Sequence, residues 1–203
     1  MADRPTNKGK KLPPEPLTKD ETKRLLDACS RRSASGRRDR ALCVVLWRAQ
    51  LRLSEALRLK PSDYDAEKGF LRVLVGKGQK YRVAVIDRTA AAELDRWLDY
   101  RKTLGISGRK PIFCGISKNA LGKELATAQI RAKMKRLAKK AGIEKRVHAH
   151  GLRHTGASEL VDEGVPLTDI QAQLGHSSPV ITNRYLHRIN PEARAERMRN
   201  REW

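Results

Sequence analysis

Aromatic residues make up only 4% of the 203-residue chain, three Trp, four Tyr and two Phe. That scarcity argues against a protein that binds single strands by stacking bases on aromatic platforms. Cysteine is equally sparse. Cys29, Cys43 and Cys114 lie far apart, without paired metal-ligand spacing and without a secretory apolar segment ahead of them, so neither a disulfide framework nor a zinc site is indicated and reduced thiols in a cytosolic protein are expected. Cys43, inside the apolar run 41–46, reads as a small core residue. No stretch reaches the roughly 18 apolar residues that a membrane-crossing helix needs. Acidic residues are also in deficit: 23 Asp and Glu stand against 44 Lys and Arg, a formal net charge of +21. An excess of this size repels itself unless a polyanion is near, and nucleic acid, contacted as a duplex through its phosphates, is the partner it favours. Basic faces also serve simply as solvated surfaces or adhere to anionic membranes, so charge alone does not decide the matter.

The length suits one core with tails rather than two full domains. Residues 1–16 combine Lys8, Lys10 and Lys11 with Pro5, Pro13, Pro14 and Pro16, a composition that favours an extended arm or linker. Thr18 and Glu21 form a Thr-x-x-Glu capping box behind Leu17, so the folded domain should start there and run over 17–189, followed by a C-terminal helix or tail at 190–203. A buried helix is expected from Gly36 or Arg37 to Gln50, and a short one over Ser54–Leu59 stopped by Pro61. Phe70–Val75 and Tyr81–Ile86 alternate as strands around Gly76-Lys77-Gly78-Gln79-Lys80, which reads as a hairpin with Lys77 at its tip. Further helices are expected over 89–104, 124–141, 151–163, 167–174, 180–187 and 191–199, giving a mostly α fold with a small antiparallel β-sheet. The 124–141 segment carries a basic face that includes Arg131, Lys133, Lys135, Arg136, Lys139 and Lys140.

Against this background a few residues carry chemistry. His150-Gly151-Leu152-Arg153-His154, Leu174-Gly175-His176-Ser177 and Tyr185, read with Arg52 and Lys77, supply a nucleophile, two guanidiniums and several proton donors or acceptors. A phenol has a reference pKa of about 10 and attacks poorly at neutral pH. It needs neighbours that take its proton and stabilise charge on the electrophile. Guanidiniums present paired donors matched to phosphate oxygens and stay charged throughout.

The ordered series Leu51-Arg52-Leu53-Ser54-Glu55, Gly76-Lys77-Gly78-Gln79-Lys80, His150-x-Leu152-Arg153-His154, Leu174-Gly175-His176-Ser177 and Tyr185 resembles that of tyrosine recombinases, the family of phage integrases and Xer recombinases. The resemblance spans about Leu17 to Tyr185 and implies that family's catalytic-domain fold. It implies that Arg52 and Arg153 grip the scissile phosphate, and that Lys77 protonates the departing 5′ oxygen, with Lys80 a weaker stand-in. His150 accepts the tyrosine proton or helps hold the phosphate, His176 donates to a non-bridging oxygen, and Tyr185 attacks phosphorus to give a 3′-phosphotyrosine. The covalent link preserves the energy of the broken bond, so no cofactor is implied, and no metal. Double-stranded DNA is the implied partner, held by a homo-oligomer, a tetramer, with Arg131, Lys135 and Lys139 on the DNA backbone. The protein is expected to be cytoplasmic and nucleoid-associated, without a membrane partner.

Two departures stand out. Gln50 occupies a position where the family commonly has glycine, and only an arm precedes Leu17 where such recombinases usually carry a helical core-binding domain. Glu55, three residues after Arg52, is expected to orient that guanidinium; His154 is expected to be structural. Nicking and religation in the manner of type IB topoisomerases, or a catalytically silent DNA-binding protein, remain alternatives. The run His148-x-His150-x-x-x-His154 has metal-like spacing but lacks an accompanying carboxylate or cysteine cluster and places Arg153 beside the site.

Overall fold

The computed structural model describes residues 15–74 and 81–175, together with Arg199. Its first helix, α1 (Lys19–Asp27), is set by the expected capping box: Glu21 N donates to Thr18 Oγ1 at 3.1 Å and Thr18 N donates to Glu21 Oε2 at 2.8 Å. Just before it, the backbone N–H of buried Leu17 donates to Thr155 Oγ1 at 3.0 Å, tying the start of the domain to a helix 138 residues later.

The second helix, α2 (Ala34–Arg48), is the centre of the fold, with residues 38–46 all buried. It starts earlier than the sequence suggested, because the Ser33 hydroxyl caps it by accepting from Gly36 N at 3.1 Å. Three of its buried residues are charged, and each is answered. Arg38 bonds Asp39 at 2.7 Å and the Cys114 carbonyl at 3.0 Å, Asp39 also pairs with Lys133 at 3.2 Å, and Arg40 pairs with Glu93 at 3.2 Å. Such pairing is what allows charge inside a core.

A short helix, α3 (Leu53–Arg58), leads through a 3-10 turn at Pro61–Asp63 into a three-stranded antiparallel sheet in the order β1 (Tyr64–Asp65), β2 (Phe70–Leu74), β3 (Tyr81–Val85). The hairpin register pairs Phe70 with Val85 and Leu74 with Tyr81. Leu71, Val73 and Ala84 face inward while Phe70, Leu74, Tyr81, Val83 and Val85 remain exposed, the alternation that a one-sided sheet requires. Strand β1 was not anticipated: two residues are too short to show alternation.

Helix α4 (Arg88–Thr103), capped by Asp87, packs on α2 and ends with Leu104 as its C-cap and Gly105 at φ +70 in the expected C′ role. Helix α5 spans Thr127–Lys140 rather than beginning at Glu124. Residues 122–124 instead close a small loop in which Glu124 bridges Cys114 and Gly115 N donates to Lys123 O at 2.8 Å. Tertiary pairing overrides the helical preference of that segment. Helix α6 spans Ala149–Asp162, two residues ahead of the expected Gly151 start, and α7 spans Leu167–Leu174 as expected. The expected helices over 180–187 and 191–199 lie outside the described residues, apart from Arg199. Among the described residues, no helix is long and apolar enough to cross a membrane.

Helix α6 approaches α2 very closely at Gly156, where a Cβ would lie 1.9 Å from the Trp47 carbonyl oxygen. Neither backbone can yield cheaply, so Gly156→Ala should lower the unfolding free energy by about 3 kcal/mol; urea denaturation of the two proteins checks it.

Candidate active site

The turn after α2 carries the first guanidinium. Arg52 is the N-cap residue of α3 at φ −69 and ψ 148, and the Glu55 carboxylate closes the turn by accepting from Arg52 N at 2.8 Å while its other oxygen accepts from the Arg52 guanidinium at 2.8 Å. One acidic side chain thus fixes both the backbone and the side chain, the orienting contact expected from their spacing. Glu55 Oε2 also accepts from Arg82 of β3 at 2.9 Å and lies 4.0 Å from Arg153. Three guanidiniums therefore surround one carboxylate. Burial, reinforced by the neighbouring charge of Arg52, draws the Arg82 guanidinium below its ordinary pKa against the opposing pull of Glu55.

Arg153 is positioned differently. Its side chain is 4% exposed, against 47% for Arg52, and it is held by two backbone carbonyls: one nitrogen donates to Gln50 O and another to Leu174 O at 2.7 Å. The Gln50 carbonyl belongs to a residue at φ +47, the one non-glycine residue in the left-handed region among those described. A glutamine there costs about 1 kcal/mol or more relative to glycine. The turn therefore holds a left-handed residue at this place without glycine.

His150 falls in the first turn of α6 and is exposed. With Arg52 and Arg153 it lines a cleft of ≈ 1010 Å³ whose lining also includes Arg131, Lys135 and Lys139 of α5. Those three are spaced by four residues and all exposed, so they form a single stripe along the helix. The rest of the basic run divides. Lys133 is committed to Asp39, and Lys140 donates to the Ala28 carbonyl at 2.8 Å, so both brace the fold rather than extend the stripe. Lys145 and Arg146, not singled out from the sequence, also line the cleft, but Lys145 is paired with Glu15 at 2.7 Å and Glu21 at 3.0 Å. His148 occupies the N-cap position of α6 without a side-chain capping bond, its ring 6.4 Å from that of His150, and His154 is buried in the same helix. Among the described residues no group of three or more His, Cys, Asp or Glu is arranged to hold a metal ion. Lys77, Lys80, His176 and Tyr185 lie outside the described residues.

The match to a model of the phage integrase family covers residues 15–191. The chain belongs to that family. Within the phage integrase family it is 36% identical over 172 residues to tyrosine recombinase XerA of Thermococcus kodakarensis, covering 85% of this chain and 57% of that one. It is 37% identical over 174 residues to tyrosine recombinase XerC of Xanthomonas axonopodis pv. citri, covering 86% and 54%. The chain thus spans somewhat more than half the length of these relatives. Among solved structures, a XerA recombinase superposes with a TM-score of 0.74 at 32% identity over 94% of this chain and 66% of that one. The catalytic domain of bacteriophage HP1 integrase gives 0.60 at 21% identity over 93% and 96%, a likeness of fold alone. The mostly helical architecture with its small antiparallel sheet is that of a tyrosine recombinase catalytic domain.

Besides Lys145 and Arg146, sequence reasoning passed over Arg82 and Gln173 of α7, whose side-chain amide donates to Gln50 Oε1 at 2.9 Å. Arg82 had a usable signal, a lone cation between the apolar positions of a strand; Gln173 had none. Because Glu55 neutralises a mostly buried Arg82, Glu55→Gln should cost about 3 kcal/mol of stability, read as a lower urea midpoint at unchanged m-value.

Proposed function

We propose that the protein is a site-specific DNA recombinase or integrase that cuts and rejoins duplex DNA through a 3′-phosphotyrosine formed on Tyr185. The observation that carries this reading is the convergence of Arg52, His150 and Arg153, up to 101 residues apart in sequence, on one cleft that is also lined by the stripe Arg131, Lys135 and Lys139. A scissile phosphate in the cleft meets guanidiniums from two elements, and the stripe follows the adjoining backbone phosphates. Charge building on the phosphoryl oxygens in the transition state is met by donors already oriented, Arg52 by Glu55 and Arg153 by two carbonyls. His150 is exposed at the cleft, and an imidazole, which can both take and give a proton, is suited to accept the tyrosine proton or to hold the phosphate. Lys77 protonates the leaving 5′ oxygen, His176 donates to a non-bridging oxygen, and Lys80 contacts DNA near the hairpin. The 5′ hydroxyl of a second strand reverses the step, which conserves bond energy and requires no nucleotide. Four copies acting on two duplexes complete strand exchange, in the cytoplasm and at the nucleoid. Support comes from family membership, and a related XerH recombinase, 27% identical with a TM-score of 0.71, has been solved bound to a palindromic difH substrate in a post-cleavage complex.

Nicked duplexes that trap the covalent intermediate provide the test. Wild-type protein should yield a DNA adduct that survives a denaturing gel, and Tyr185→Phe should abolish it while DNA binding persists. Arg153→Lys keeps the charge but cannot bridge two carbonyls and a phosphate with one planar fork, so cleavage should fall by about 10²-fold. An adduct on Tyr185→Phe would overturn the nucleophile. Relaxation of supercoiled DNA without strand exchange would favour a topoisomerase-like activity instead.

The stripe generates a separate expectation. Replacing Arg131, Lys135 and Lys139 by Gln should flatten the dependence of log K on log salt by about 0.9 per residue, roughly 2.7 in all. Titration of a labelled duplex across a salt series measures it; an unchanged slope would remove the stripe from the interface.

A further inference from the structure

Gln50 and Gln173 touch each other, and each touches the framework around Arg153. Gln50 is 1% exposed; its side-chain nitrogen donates to the Trp47 carbonyl at 2.9 Å and its side-chain oxygen accepts from Gln173 Nε2 at 2.9 Å. Gln173, on α7, also clasps Val85 of β3 from both sides of its amide. Oε1 accepts from Val85 N at 2.9 Å and Nε2 donates to Val85 O at 2.8 Å, with Ala49 O a further acceptor at 3.3 Å. A single side chain thereby continues the hydrogen bonding of a strand edge and reaches the turn between α2 and α3.

We infer that Gln50 and Gln173 are a pair of positioning residues that set the guanidinium of Arg153 in the cleft, an inference that rests on the proposed role of Arg153 at the DNA phosphate. The two carbonyls that hold Arg153 are those of Gln50 and of Leu174, the neighbour of Gln173. Each partner of the pair therefore lies within one residue of a carbonyl that aims the guanidinium. The bond between their side chains sets the separation of those carbonyls. The Gln50 carbonyl points at Arg153 from a residue in the left-handed conformation, which glutamine does not favour on its own. The side-chain bonds to Trp47 and Gln173 are what hold it there. Arg153 sits on α6, whose Gly156 brings the helix backbone against the same turn: a Cβ at that glycine would lie 2.7 Å from Gln50 Nε2. A shift of Gln50 or α7 is thus transmitted to the guanidinium rather than absorbed by free space.

Gln173→Glu keeps the shape of the side chain and the acceptor facing Val85 N but removes the donors to Gln50 and Val85 O. Gln173→Leu removes both functions. On nicked duplex at saturating concentration, both variants should cut the single-turnover cleavage rate by at least about tenfold, with DNA affinity unchanged. Gln50→Gly combined with Gln173→Glu should lose less than the sum of the two single variants, because both remove the one bond that joins them. In the 15N spectrum of arginine side chains, the guanidinium protons of Arg153 should exchange with water faster in Gln173→Glu than in wild type. Wild-type cleavage in the variants, a loss confined to DNA affinity, or unaltered Arg153 proton exchange would each overturn the pair. If wild-type protein forms no adduct on any duplex, the reading of the cleft fails on its own account. Arg153 exchange then still decides the pair: accelerated exchange in Gln173→Glu upholds it and unaltered exchange rejects it.

Discussion

Arg153 lies in a helix that is otherwise packed by Leu152, Ala157 and Val161, and its charge has to be answered inside the protein. Two carbonyls answer it, from the α2–α3 turn and from the C-terminal end of α7, with Glu55 further out at 4.0 Å. A buried guanidinium whose donors went unmatched would cost several kcal/mol. The three segments around it are therefore not free to move separately: α6, α7 and the turn before Arg52 are tied together by a guanidinium that also lines the cleft.

The rest of the architecture supports that lock from behind. Helix α2 carries the turn, and its buried Arg38, Asp39 and Arg40 are paired outward to the 114 loop, α5 and α4. The buried face of α5 (Ile130, Met134, Leu137 and Ala138) sets its rotation, with Lys133 paired to Asp39 beside it, and this leaves Arg131, Lys135 and Lys139 along the cleft. A basic helix can present many faces; here the buried face chooses one, and Lys133 and Lys140 are taken up by Asp39 and the Ala28 carbonyl. The cations that brace the core and those that line the cleft are thus different members of one basic helix.

Local rules were enough wherever a short-range interaction dominates. The capping box at Thr18 and Glu21, the hairpin alternation, the C′ glycine at 105 and the α7 boundaries all depend on contacts within a few residues, and all are present in the structure. Boundaries shifted where a distant partner competed. Glu124 was drawn out of its helix by Cys114, and the start of α6 moved ahead so that His150 lies on its first turn. The role of Gln50 was half legible: its departure from glycine marked a turn under constraint, but nothing local predicts a partner 123 residues away.

By itself, the order of residues determined the chemical inventory of this protein: a large positive charge, a set of arginines, histidines and a tyrosine in a family-like series, and the helical and hairpin segments that carry them. Those properties follow from side-chain identity and from periodicities read over a few residues. Only the tertiary structure decided which cations face the cleft, which are spent on Asp39, Glu21 or the Ala28 carbonyl, and how Glu55 comes to serve three arginines from separate elements. The reason is physical. Charged side chains are long, their pairing energies are similar, and their partners lie across the fold, so the choice among partners is made when the helices pack.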